Sequence, residues 1–114
     1  MSDININAVA MQVILHAGDG RNKVDEAIDA MARSEYEEAE KLLDEAETEI
    51  TKAHIAQTQA IQAQVGGENI EYSLLFTHAQ DTVMTINTEL RMARRFLPVF
   101  RMLGEKAERN NNHE

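Results

Sequence analysis

The chain has 114 residues and carries 20 acidic against 11 basic side chains, a formal net charge of −9; its length predicts one domain and its acidity argues against nucleic acid as a partner. It has no cysteine, so disulfides, thiolate metal sites and a cysteine nucleophile are excluded. One Pro, five Gly and no Trp point to helix with few turns, and neither a signal peptide at Met1–Ile6 nor an apolar run of ~18 residues is found, so a cytoplasmic helical protein is expected.

The first predicted helix carries Ile6, Ala10, Val13, Ala17, Gly20, Val24, Ala27 and Met31 at alternating steps of four and three. Gly18 and Gly20 fall inside it, each costing a helix interior about 1 kcal/mol relative to Ala. The apolar phase is the same on both sides of them, which favours one continuous helix. Gly20 lies on the apolar seam, where a missing side chain lets another helix come close.

A second helix is predicted from Ser34, which with Glu37 matches a capping box. Its seam reads Tyr36, Ala39, Leu43, Ala46, Ile50, Ala53, Gln57 and Ala60. Eight acids lie between Glu35 and Glu49 with Lys41 the only base. They form either a solvated face or an acidic rim for a basic partner. Gly66-Gly67-Glu68-Asn69 is the expected stop and turn.

The third stretch is the most regular, with Tyr72, Phe76, Ala79, Val83, Ile86, Leu90, Ala93, Leu97 and Phe100 in phase. Pro98 is expected to kink or end it. Residues 1–104 then form the helical domain and 105–114 a flexible polar tail. Three amphipathic helices joined by short turns predict an all-α, antiparallel three-helix bundle, with helices about 40 to 50 Å long.

The opposite side of the third helix holds Leu74, Thr77, His78, Asp81, Met84, Thr85, Thr88, Arg91 and Met92. On so acidic a protein a solvent face should carry Glu and Lys; this one has a single acid and no Lys or Arg before Arg91. Either the core stripe is wide or this face meets another copy of the chain. A carboxylate at a dry interface costs several kcal/mol unless paired or bound to a cation. A cyclic oligomer would gather copies of Asp81, to be relieved by a hard cation or by protonation.

His78 and Asp81 are three residues apart and share a helix face. An imidazole nitrogen accepts a phosphoryl group while the other ring nitrogen is held by a hydrogen bond. Gln80, Thr77 and Thr82 offer donors for phosphoryl oxygens. His54 reads as a packed or hydrogen-bonded helical histidine, and His16 and His113 carry no constellation. Paired Glu-x-x-His motifs, a phosphate-cradling glycine loop, a nucleophile elbow and zinc spacing are all lacking.

His78-Ala79-Gln80-Asp81 followed by Met84-Thr85 resembles the active-site signature of the lactose/cellobiose-type enzyme IIA of the bacterial phosphoenolpyruvate-dependent sugar phosphotransferase system. Ala17-Gly18-Asp19-Gly20-Arg21, Glu37–Leu43 and Ala53-His54-Ile55-Ala56-Gln57-Thr58 are similar to the same family, so the resemblance covers about residues 5 to 97. It implies a three-helix protomer assembled as a coiled-coil-like homotrimer. It implies that His78 takes a phosphoryl group from phospho-HPr through Nε2 and passes it to a cysteine of the IIB component in β-disaccharide uptake. The membrane IIC component is then an indirect partner, Gln80 and Thr82 support the transfer, and Asp81 of each subunit binds one Mg2+ per trimer. Thr82 stands where the family usually has a second histidine, which removes a nearby positive charge and leaves a hydroxyl. That departure keeps a second reading open, a non-catalytic or regulatory helical adaptor derived from the same fold.

Overall fold

The computed structural model describes residues 5–112. Helices α1 (Ile6–Ala32), α2 (Tyr36–Val65) and α3 (Leu74–Asn112) follow one another and make an elongated bundle of 71 × 20 × 19 Å. The expected periodicity sets the core. Ala10, Val13, Ala17, Val24, Leu43, Ala46, Ile50, Ala79, Val83, Ile86 and Leu90 are all buried. Most of these side chains are small, which draws the helix axes together and keeps the core thin.

α1 runs unbroken through Gly18 and Gly20. A Cβ on Gly20 would lie 2.7 Å from Cγ1 of Ile50 and 3.3 Å from the carbonyl oxygen of Ala46, whereas one on Gly18 would meet nothing within 4 Å. The two glycines therefore differ in role: Gly20 admits α2, and Gly18 only loosens the helix. Gly18→Ala is expected to raise stability by about 0.5–1 kcal/mol. Gly20→Val is expected to lower it by about 2 kcal/mol through overpacking. Urea denaturation of the two variants checks both signs.

The capping box expected at Ser34 is not formed. The N-cap of α2 is Glu35, without a side-chain cap bond. Ser34 instead terminates α1, at φ 63°. The Glu35 amide donates to the Ala30 carbonyl at 2.9 Å and the Ser34 amide to the Met31 carbonyl at 3.1 Å, the pair of bonds of a Schellman motif. A left-handed residue cannot also hold the extended backbone of an N-cap, so the C-terminal motif wins. α2 ends the same way at Gly67, φ 101°, with the Glu68 amide on the Ala63 carbonyl. Ser34→Gly removes the cost of a Cβ at positive φ. It is expected to stabilise the chain by about 1 kcal/mol, read as a higher thermal midpoint.

Two further expectations change in α3. Tyr72 lies outside the helix and is 82% exposed, because Ser73 caps α3 by accepting the Phe76 amide at 3.0 Å. Pro98 and Gly104 lie within the helix, which continues to Asn112, so residues 105–112 are helical and α3 is longer than expected. Contacts beyond Pro98 hold it. The Arg101 guanidinium sits 5.9 Å from the Tyr36 ring centroid and 3.8 Å from Glu40, and Gly104 makes room for the Tyr36 hydroxyl.

The acidic run of α2 is bound largely by bases of this same chain. Arg94 of α3 reaches Asp44 at 3.0 Å, Glu47 at 2.7 Å and the Leu43 carbonyl at 3.3 Å. Lys23 of α1 reaches Glu45 at 3.5 Å. Much of that charge joins α2 to its neighbours.

Candidate active site

α3 presents His78 one turn after its cap. Ser73 fixes that start twice over, accepting the Phe76 amide and donating from its hydroxyl to Oδ1 of Asn7 at 2.6 Å. His78 is exposed and shares a shallow, mainly apolar depression with Leu74 and Leu75. Asp81 is exposed on the same face. Among the described residues, neither the imidazole nor the Asp81 carboxylate has a side-chain partner; the bonds formed at these positions use their backbone carbonyls.

The threonines of this face turn their hydroxyls inward. Thr82 donates to the His78 carbonyl at 2.8 Å, Thr85 to the Asp81 carbonyl at 2.8 Å, Thr88 to the Met84 carbonyl at 3.1 Å and Thr77 to the Ser73 carbonyl at 3.3 Å. Each bond spends the hydroxyl on its own helix and leaves a methyl group outward. With Leu74 at 72% and Met84 at 66% exposure, the face from Leu74 to Thr88 is apolar apart from His78 and Asp81. Leu74, His78, Asp81, Thr85, Thr88, Met92, Arg95, Val99 and Met102 are all exposed. They follow alternating steps of four and three, a second seam of the kind that coiled-coil partners cover.

The expected supporting residues are placed apart from the ring. The Thr82 hydroxyl is committed to a carbonyl, as above. Gln80 lies two residues from His78 and so on another side of the helix, in a cavity of about 280 Å³ with Ile6, Ala60, Gln64 and Tyr72. Within one chain, the structure brings His78 and Asp81 to one face, and among the described residues no donor is hydrogen-bonded to the imidazole.

His54 is exposed and lines a groove of about 460 Å³ between α2 and α3 with Gln57, Val83, Met84 and Asn87. It is not the packed histidine the sequence suggested. Gln57 is buried there, and its Oε1 has no hydrogen-bond partner among the described residues. His16, expected to stand alone, has Nδ1 3.0 Å from Oε2 of Glu49. Hydrogen bonds with His16 and then Lys52 hold the Glu49 carboxyl below its ordinary range. His113 lies outside the described residues.

The family described as "PTS system, Lactose/Cellobiose specific IIA subunit" matches residues 8–101. The chain is 41% identical over 98 residues to the lichenan-specific phosphotransferase enzyme IIA component of Bacillus subtilis, covering 86% of this chain and 89% of that protein. It is 38% identical over 85 residues to the lactose-specific EIIA component of Staphylococcus epidermidis, covering 75% and 82%. Among solved structures, PtcA from S. mutans superposes with a TM-score of 0.82 at 37% identity, covering 88% of this chain and 98% of that one. The cellobiose-specific enzyme IIA from Bacillus anthracis superposes at 0.84 with 30% identity, covering 92% and 96%. A matched segment spanning all three helices, together with the superposed bundles, places the chain in the lactose/cellobiose-specific IIA family of the sugar phosphotransferase system.

Proposed function

We propose that this IIA subunit is a cytoplasmic phosphocarrier in β-disaccharide uptake that works through His78. Nε2 of His78 attacks the phosphorus of phospho-HPr in line; the N–P bond to HPr breaks as the new one forms. A thiolate of the IIB component then takes the phosphoryl group in the same manner, returning His78 to its free state. Little is asked of the protein in such a transfer beyond positioning and neutralisation of the equatorial oxygens. The observation that carries this reading is the exposed imidazole, without a side-chain partner among the described residues, on a face whose only other charged group from Leu74 to Thr88 is Asp81. A docked partner or a neighbouring subunit would supply donors for the phosphoryl oxygens, because the Thr82 hydroxyl is held by the His78 carbonyl and Gln80 lines a cavity on another side of the helix.

The same face supports a homotrimer. At 100° per residue, Asp81 lies at the middle of the stripe, between Thr77, Met84 and Thr88 on one side and His78 and Thr85 on the other. His78 is about 60° around the helix from it. If Asp81 faces a three-fold axis, His78 falls at the rim of the contact, where HPr and IIB reach it. Three Asp81 carboxylates would then supply hard oxygen ligands suited to Mg2+, and the exposed, unpaired carboxylate of each chain fits that use. The ion would neutralise charge at the junction. Incubation with phosphoenolpyruvate, enzyme I and HPr is the test. One acid-labile phosphoryl group on His78 supports the reading, and no label under conditions that phosphorylate HPr overturns it.

A further inference from the structure

We propose that His16, Asp19 and Glu49 form a binding site for a divalent transition-metal ion of the zinc type, on the α1–α2 face of the protomer and separate from Asp81. One imidazole nitrogen of His16, one carboxylate oxygen of Asp19 and one of Glu49 all lie within 4.8 Å of one another. His16 and Asp19 are three residues apart on α1 and so share a face. Glu49 comes from α2, so the three donors converge from two elements of the fold.

The two helices pack closely where these side chains meet. Gly20, next to Asp19, stands where a Cβ would lie 2.7 Å from Cγ1 of Ile50, the neighbour of Glu49. This close contact of α1 with α2 sets the spacing of the backbones that carry the donors, as a preorganised site requires. Zinc bonds of about 2.0–2.2 Å put tetrahedral donors about 3.4 Å apart. The donors, now within 4.8 Å of one another, would contract to that size as the ion binds.

The donor set selects the ion. One imidazole with two carboxylates suits zinc, whereas magnesium takes an all-oxygen shell. Three protein ligands leave a fourth position to water, and Asp19, which is exposed, keeps that side open. His16 and Glu49 are partly sheltered, at 31% and 24% side-chain exposure. Lys52, whose Nζ is 3.1 Å from Glu49 Oε1, is 52% exposed and is free to swing into solvent as the ion enters. The bound ion would act as a clip between α1 and α2, whatever happens at His78.

The test titrates zinc chloride into the metal-free full chain carrying Asp81→Asn, so that Asp81 contributes nothing, and follows the histidine ring resonances by NMR. The expected result is a saturable shift of the His16 ring at one equivalent, a higher thermal midpoint, and no competition from magnesium chloride. Asp19→Asn and Glu49→Gln are each expected to weaken zinc binding by about tenfold or more. An unmoved His16 ring, zinc confined to His54 or His78, or unchanged affinity in both carboxylate variants would overturn the site.

Discussion

A His78→Gln chain is expected to fold as the parent does and to accept no phosphoryl group from phospho-HPr. The ring is exposed and bonds to no side chain among the described residues, so its replacement should change stability by no more than about 0.5 kcal/mol. Function is another matter. An amide is not a nucleophile toward phosphorus, and no other described histidine is placed to take over. His16 is engaged with Glu49, and His54 lies in the groove between α2 and α3. The loss should therefore be complete. Thr82→Ala is the informative contrast: its hydroxyl serves the His78 carbonyl, so labelling should persist. Mass spectrometry of the intact protein after incubation with the phosphoenolpyruvate-driven donors reads both outcomes. A His78→Gln chain labelled like the parent would move the chemistry to another residue. Unimpaired sugar uptake by cells carrying it would favour a regulatory adaptor instead.

The parts of the fold that repeat along one helix were open to reading from the sequence. Alternating steps of four and three located Ala10 through Met31 and Ala79 through Leu97 on buried seams, because a helix translates spacing into direction. Features decided between helices were not. Ser34 and Glu37 look like a capping box, but the same serine was needed to end α1. Pro98 and Gly104 look like stops until Tyr36 and Glu40 are seen against the far end of α3.

The site divides in the same way. His78 and Asp81 share a face through their spacing alone, so their relation was legible. The direction of the Thr82 and Gln80 side chains was not, since a residue type says what it can donate and nothing of where. The His16–Glu49 pair spans 33 positions; composition showed an abundance of acids, and only the Gly20 contact selects Glu49. The unusual lack of charge around Asp81 was the stronger sequence signal, and four inward-bonded threonines give it a physical basis.

Replacing Asp81 by Asn is expected to separate assembly from phosphoryl transfer. In the proposed trimer three carboxylates converge, and their repulsion and desolvation cost several kcal/mol unless a cation neutralises them. The parent should therefore sediment as a trimer in magnesium and lose stability, or dissociate, when EDTA removes the ion. Asn keeps the shape and removes the charge, so the Asp81→Asn trimer should form equally with or without EDTA. In EDTA its thermal midpoint should exceed the parent's by about 5 °C or more, measured at one protein concentration because assembly makes the midpoint concentration-dependent. His78 lies at the rim of this contact, so phosphoryl acceptance by the variant should continue. A parent that sediments as a monomer in magnesium would sink the trimer. A trimer indifferent to EDTA in both forms would leave the second seam as the interface but remove the metal from Asp81. The prediction thus turns on whether the weakly charged stripe of α3 around Asp81 is closed by copies of itself.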